Sequence, residues 1–276
     1  MVGIDYLESE IEESKITERI KKNLESDIMS EDVLKNHVEY ILRHNLTENY
    51  SFIIQEIVNK KRNEVKRIEI FDLYFNKTHA TSSIIENLPQ IDNKHVKWHI
   101  IDRIWEYNPS LISEYLQNLF LLEQSIETRL IVAEYLIEIN DISALDFYIN
   151  WIIENKHLPN GRFIGKNLDK VISIDSLPYL MKLLKFHYQE STTQDHFNRT
   201  DAIVLHALFR IGVVSESNFI KVYQALHDFI NENKSQLDNV KFLNFNLERL
   251  EDEFYLTKTE NFTIDQVVEK LKVLSL

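Results

Sequence analysis

The fold is decided by two stretches of thirteen residues, VKWHIIDRIWEYN at 96–108 and TRLIVAEYLIEIN at 128–140, which match when the chain is shifted by 32 residues. Apolar residues fall at the same positions in both stretches, for example at Ile104 and Leu136. This spacing is typical of an α-helix, and a fixed period between similar helices indicates a repeat architecture.

The repeat extends on both sides of these stretches. In the following helix Phe120 falls on Ile152, and a third copy, AIVLHALFRIG at 202–212, matches residues 130–140 without a gap. An earlier copy, ending at Asn76, is weaker, because the same shift places charged side chains on core positions. Those side chains are Lys66, Glu69 and Asp72.

The ends and the width of the repeat helices give two further predictions. Asn108, Asn140 and Gly212 follow the three helices at equivalent positions, and such residues tolerate the left-handed conformation in which helices commonly stop. The apolar residues between Val96 and Tyr107 spread over roughly 200°, wider than one buried face requires. The repeat helices are therefore predicted to be covered on two sides. The three tryptophans, Trp98, Trp105 and Trp151, fall on core positions.

Composition and charge narrow the fold and the partners. Four glycines and four prolines among 276 residues disfavour a sheet or barrel, which needs many chain reversals, and favour an all-α fold. The absence of cysteine suits a reducing, cytoplasmic location. A net charge of −13 repels nucleic-acid phosphates and anionic lipid surfaces. No apolar run approaches the ~18 residues that would span a bilayer.

Helical periodicity runs almost from end to end. The predicted helices cover residues 5–25, 31–44, 47–61, 64–75, 82–88, 93–107, 110–122, 126–139, 142–155, 177–189, 197–211, 216–232, 238–255 and 264–274. Residues 1–62 lack the repeat register and are predicted to form an N-terminal helical cap, before a repeat domain at 63–276. The clearest repeats are predicted at 93–124, 125–156 and 197–232. The C-terminal capping helices are predicted at 238–276.

The stretch ETRLIVAEYLIEINDISALDFYINWII at 127–153 resembles a HEAT repeat of the short, PBS-lyase-like type. The likeness is carried by Thr128 and Arg129, by the position of Ala133, and by Asn140 with Asp141 before the second helix. It extends over residues 64–232. This resemblance implies an α-solenoid of antiparallel helix pairs, HEAT- or armadillo-like, with a concave binding surface. It does not imply a reaction.

The most suggestive polar residues lie on the helix at 93–107. His95, His99, Asp102 and Glu106 fall within a stripe about 60° wide, opposite the apolar arc. Two imidazoles and a carboxylate at this spacing are suitable zinc ligands, but a solvated helix face explains the same pattern without a metal. The stripe is therefore predicted to be a binding surface with no metal or cofactor.

The 32-residue shift carries this stripe into the next repeat, where the equivalent residues are Glu127, Glu134 and Glu138. Stacked repeats would align these positions into a mainly acidic ladder. Such a ladder is suited to a protein partner with a basic segment, although acidic residues also serve simply to keep a surface soluble.

No set of residues has the spacing of an active site. The loop GRFIGK at 161–166 is one residue shorter than a phosphate-binding loop and lacks the preceding strand, and His206 is predicted to be a packed core residue. The function that follows is a scaffold, adaptor or regulatory sensor module that binds protein. The alternatives are a HEAT-like enzyme acting on nucleic acid, of the DNA glycosylase type, and a self-assembling structural protein. The sequence leaves the oligomeric state open.

Overall fold

The computed structural model describes residues 31–155, 170–190 and 200–233, together with residues 168, 248 and 252. These described residues form eleven α-helices and four short 3-10 helices, with no strand among them. The all-α prediction is therefore confirmed for this part of the chain. The predicted helix at 5–25 and the loop at 161–166 lie outside the described residues. So does the C-terminal region 238–276, apart from the two single residues.

In chain order the α-helices are α1 (Glu31–Arg43), α2 (Tyr50–Val58), α3 (Glu64–Thr78), α4 (Ser82–Asn87), α5 (Lys94–Tyr107), α6 (Ser113–Leu122), α7 (Ile126–Glu138), α8 (Ile142–Glu154), α9 (Leu177–Glu190), α10 (Thr200–Val213) and α11 (Glu216–Asn233). The 3-10 helices are Thr47–Asn49, Leu88–Gln90, Pro109–Leu111 and Ile174–Ser176. The segments predicted as single helices at 47–61 and 110–122 each begin with a 3-10 turn. None of the described helices has the length and apolar character that crossing a bilayer requires.

Four of the helices begin at a side-chain cap. The capping side chains, each accepting a hydrogen bond from a backbone N–H of the first turn, are Asn63 of α3, Asn93 of α5, Ser125 of α7 and Asp141 of α8. Such a bond satisfies a donor that the helix itself leaves unpaired and contributes about 1 kcal/mol. The local sequence therefore sets where these helices start.

The chain divides into two compact units, Met1–Glu114 and Tyr115–Leu276. In the first unit, α3 contacts α1, α2 and α5, and α2 also contacts α4. In the second unit, α8 contacts α7 and α9, while α9 also contacts α10 and α11. Helix α3 thus contacts its sequence neighbour α2 and two more distant helices. Helix α9 contacts its two sequence neighbours, α8 and α10, and one more distant helix. The predicted N-terminal cap at 1–62 stays a prediction, because only its second half is described.

One buried pattern recurs in four helices. Each helix buries apolar side chains at positions i, i+1, i+4 and i+5, with no more than 7% of any of them exposed. The four buried sets are Ile70, Phe71, Tyr74 and Phe75 in α3, Ile100, Ile101, Ile104 and Trp105 in α5, Val132, Ala133, Leu136 and Ile137 in α7, and Val204, Leu205, Leu208 and Phe209 in α10. The predicted register therefore places the core correctly in α5, α7 and α10.

The α3 set corrects the expectation of a weak earlier copy. It lies 30 residues before the α5 set, not 32, as the pairing of Ile70 with Ile100 shows. Lys66, Glu69 and Asp72 consequently lie beside the core and not in it. The interval differs by two residues because the chain from the start of α3 to the start of α5 is two residues shorter than the chain from the start of α5 to the start of α7, while the buried positions within each helix stay the same.

The predicted common left-handed stop is wrong for two of the three helices. Asn140 does follow α7 with φ 64°, but Asn108 has φ −161° and ψ 103°, which is extended backbone. Asn108 precedes Pro109, whose ring forces the preceding residue away from helical geometry. Gly212 lies inside α10, which continues to Val213.

The three tryptophans are predicted to lie in the core. Trp105 is buried, as predicted, while Trp98 and Trp151 are half-buried.

Truncation of a buried leucine of the recurring pattern should destabilise the protein far more than truncation of an exposed one. Leu136 is fully buried, so we expect Leu136→Ala to lower the free energy of unfolding by about 3 kcal/mol. Leu122, 81% exposed, is the matched control, and Leu122→Ala should change stability by less than about 0.5 kcal/mol. Urea denaturation measures both values. Equal losses would contradict the placement of the α7 core.

Asn140 has two roles that substitutions can separate. Its side-chain oxygen accepts hydrogen bonds from the backbone N–H of Ile172 at 2.8 Å and of Ser173 at 3.3 Å. Asn140→Gly removes these bonds but keeps the left-handed backbone, whereas Asn140→Ala also adds strain of about 1 kcal/mol. We expect both variants to melt below the wild type in calorimetry and the alanine variant to melt lowest. If alanine equals glycine, the backbone at this position is not strained.

Candidate protein-binding surface

The four polar residues predicted to share a stripe on α5 do not have equal access to solvent. His95, Asp102 and Glu106 are exposed, whereas His99 is half-buried. The buried set of α5 occupies the other side of the same helix. Three of the four predicted side chains are therefore accessible to a partner.

His99 joins α5 to α3. Its Nε2 lies 2.9 Å from Oδ1 of Asp72, so the imidazole and the carboxylate share a hydrogen bond. Arg103, one turn further along α5, lies 3.7 Å from the same carboxylate oxygen and donates to the side-chain oxygen of Asn76 at 3.1 Å. His99 and Arg103 thus use their polar groups within the protein, while Glu106, 3.5 Å from Arg103, extends the charged row to the exposed surface.

A second group of charges joins α1 to α3. The carboxylate of Glu69 accepts hydrogen bonds from Lys35 of α1 and, at 2.9 Å, from Lys66 of its own helix. The bond from Lys35, followed by that from Lys66, holds the pKa of Glu69 below its ordinary value, although partial burial acts in the opposite direction. The ionised form of Glu69 is therefore favoured by folding.

These two groups form a polar seam across three helices of the first unit. The seam consists of Lys35, Lys66, Glu69, Asp72, Asn76, His99 and Arg103. Sequence reasoning missed its α3 members, although Lys66, Glu69 and Asp72 recur every three residues as a polar stripe does. The 32-residue shift assigned those positions to the core, and that assignment concealed the stripe.

The acidic residues predicted in the second unit have three different environments. Glu127 is exposed in the first turn of α7. Glu134 is half-buried near Tyr148, and its charge adds to the burial that raises the pKa of the Tyr148 hydroxyl. Glu138 is only 10% exposed and pairs with Lys170. The predicted ladder falls on both units, so its continuity stays a prediction.

Arg129, one of the residues that carry the repeat resemblance, has a packing role. Its guanidinium carbon lies 5.0 Å from the ring centroid of Phe120 and 4.1 Å from that of Phe147, and the two rings meet edge to face. Cation–π contacts of this kind contribute about 0.5–2 kcal/mol each. Arg129 therefore holds α6, α7 and α8 together and does not add positive charge to the candidate surface.

Within the described part of the chain, the remaining candidate residues give no second site. Among the described residues, no group of three His, Asp or Glu side chains could hold a metal ion. The zinc alternative for the α5 stripe therefore lacks converging ligands, because His99 turns towards Asp72. His206, expected in the core, is half-buried in α10.

No protein-family model matches this chain, and no curated protein or solved structure is significantly similar to it. The resemblance to HEAT repeats therefore depends on the chain's own residues alone. What supports it is the recurring buried pattern of α3, α5, α7 and α10, and it remains a proposal.

Removal of the Glu69 carboxylate should flatten the pH dependence of stability in acid. The pKa of Glu69 is lower in the folded chain than in the unfolded chain, so its stabilising contribution is complete above the unfolded value of about 4.3 and is lost as the pH falls through the folded value. We expect Glu69→Gln to show a smaller loss of stability than the wild type between about pH 6 and pH 3 in urea titrations.

The matched control is Glu86→Gln, which changes an exposed glutamate of the same unit. This variant should follow the wild type across the whole pH range. If Glu69→Gln also follows the wild type, the hydrogen bonds from Lys35 and Lys66 do not stabilise the folded state.

Proposed function

We propose that this chain is a protein-binding scaffold, an adaptor or a regulatory sensor module. Its exposed carboxylates bind a basic segment of a partner protein. The observation that carries the proposal is the division of α5 into two sides. One side holds a fully apolar buried set, and the other presents Asp102 and Glu106 to solvent. In the second unit, Glu127 of α7 is the exposed residue at an equivalent position.

Charge complementarity is the physical basis of the interaction. A chain with a net charge of −13 attracts basic segments over several ångströms, and exposed carboxylates then fix their position. Each exposed ion pair contributes little by itself, so recognition requires several in a row. Partner binding through such a surface should therefore weaken steeply with added salt.

The proposed architecture is a HEAT-like α-solenoid. Support comes from the contacts of α3 with both α1 and α5 and from the repetition of one buried pattern. In a solenoid, equivalent helices stand side by side, so their exposed positions form continuous rows. The acidic ladder is the row that such stacking would produce from α5 and α7.

Charge reversal within each unit tests this surface. We expect the double variant Asp102→Lys with Glu106→Lys, and separately Glu127→Lys, to lower capture of partner proteins from a lysate of the source organism by about tenfold or more at low salt, because reversed charges repel a basic segment. Quantitative mass spectrometry of the captured proteins is the measurement. Melting temperatures should stay close to the wild type, because all three side chains are exposed.

Matched controls keep the change of net charge the same. Glu86 of α4 and Glu154 of α8 are exposed glutamates outside the ladder, one in each unit. Glu86→Lys with Glu154→Lys matches the Asp102 and Glu106 double variant in charge, and Glu154→Lys alone matches Glu127→Lys. Both controls should capture partners as the wild type does. If the ladder variants and the control variants lose partner capture equally, the loss results from the change in net charge and not from the ladder positions. Capture unchanged by either ladder variant would exclude the surface.

Titration with duplex DNA at low salt tests the alternative enzyme class. A nucleic-acid enzyme requires a basic groove for the phosphates, and the exposed carboxylates of α5 oppose one. We expect no saturable binding. Saturable, salt-sensitive binding of the duplex would favour the glycosylase-type alternative over the scaffold.

A further inference from the structure

An open groove of about 720 Å³ lies on the second unit, away from the residues of the acidic ladder. Its apolar lining comes from the start of α8, the 3-10 helix before α9, the first turn of α9 and one side of α11, and includes Ile142, Ile174, Leu177 and Ile220. Two carboxylates, Asp175 and Asp228, and one lysine, Lys221, also line it. The groove therefore presents an apolar floor whose charged lining is acidic on balance.

The described helices leave this groove uncovered. Ile220 of α11 is 58% exposed, although α11 contacts α9 and α10 with its other residues. A large aliphatic side chain left in water loses the free energy that burial would give, about 25 cal/mol per Å² of apolar surface. The groove therefore favours an apolar occupant.

The chain itself contains a segment of suitable pattern. Residues 263–276, TIDQVVEKLKVLSL, lie outside the described residues, and the sequence predicts a helix at 264–274. Its apolar residues recur at helical spacing within an arc of roughly 120°, the width of one buried face. These residues are Ile264, Val267, Val268, Leu271 and Leu274. A stripe of this kind requires a surface to cover it.

Charge and length both match the groove. At about 100° per residue, Lys270 and Lys272 border the two edges of the apolar stripe, where they can meet Asp175 and Asp228. Thirty residues separate Asn233, the end of α11, from Ile264. The stretch of α11 from Ile220 to Asn233 measures about 20 Å, and thirty residues that include the predicted helix at 238–255, about 27 Å long, are enough to return along it.

We propose that the apolar face of residues 264–274 docks in this groove within the same chain. The docked segment covers Ile220 and places its lysines beside the groove carboxylates. Any external apolar peptide that uses the groove must displace a tethered competitor, whose effective concentration reaches the millimolar range. This inference is independent of the acidic ladder, since no ladder residue lines the groove.

The absence of cysteine from the sequence allows a direct test in the 276-residue chain. In the variant Ile220→Cys with Val268→Cys, mild oxidation should form an intramolecular disulfide, because docking brings the two positions together. The matched control, Ile220→Cys with Glu269→Cys, places the second thiol on the polar side of the predicted helix. We expect it to cross-link about tenfold more slowly. Mass spectrometry and gel mobility report the product.

A second control separates docking in the groove from non-specific contact with any exposed apolar position. Leu122→Cys with Val268→Cys offers an exposed apolar position of the same unit that lies outside the groove. Slow cross-linking of this pair, beside fast cross-linking of the groove pair, supports docking. Equal rates for all three pairs would overturn the proposal, and a mainly dimeric product would assign the groove to a second copy of the chain instead.

Hydrogen exchange of the 276-residue chain without added cysteines gives an independent measurement. Val268→Asp with Leu271→Asp places charges on the docking face, so the backbone amides of residues 220–228 should exchange several-fold faster than in the wild type as the groove is uncovered. Unchanged exchange across those residues would also overturn the proposal.

Discussion

Burial of apolar side chains at positions i, i+1, i+4 and i+5 is the constraint on which the rest of the described structure depends. Adjacent residues on a helix point about 100° apart, so a buried pair at i and i+1 requires cover on more than one side. Helix α3, which has this pattern, contacts the three helices α1, α2 and α5. Stability in this protein thus comes from neighbour-to-neighbour packing, and capping residues decide where each packed helix begins.

The same constraint determines where charge can lie. Once the wide apolar arc is buried, polar side chains are confined to the remaining side of each helix, and packed helices bring these sides together. Asp72 of α3 therefore meets His99 and Arg103 of α5. Several of these charges pair with one another, and Asp102 and Glu106 are the carboxylates of α5 that are exposed to solvent. A charged surface of this kind is a by-product of the packing, and it is available for recognition.

The sequence predicted part of the candidate surface and missed another part for one physical reason. Exposure of Asp102, Glu106 and Glu127 follows from their position opposite the apolar residues, which is a property of a single helix. The partners of His99 and Glu138 are properties of two segments packed together. A constant 32-residue period placed Asp72 in the core, whereas the actual interval of 30 residues between the buried sets of α3 and α5 places it on the polar seam. A change of two residues in a connection is invisible to hydrophobic periodicity within either helix.

By itself the sequence determined the all-α fold, the approximate limits of the described helices and the buried face of α5, α7 and α10, because each depends on residues within a few turns of one another. The tertiary structure alone decided which polar side chains are used internally. Three hydrogen bonds show this. His99 bonds Asp72, 27 residues away in sequence, and Lys170 bonds Glu138, 32 residues away. The side-chain oxygen of Asn140 accepts a hydrogen bond from the backbone N–H of Ile172, also 32 residues away. These contacts require whole helices and loops to be placed to within a few tenths of an ångström, since a hydrogen bond tolerates no larger error. That placement results from the packing of all the side chains together and cannot be read from any one of them.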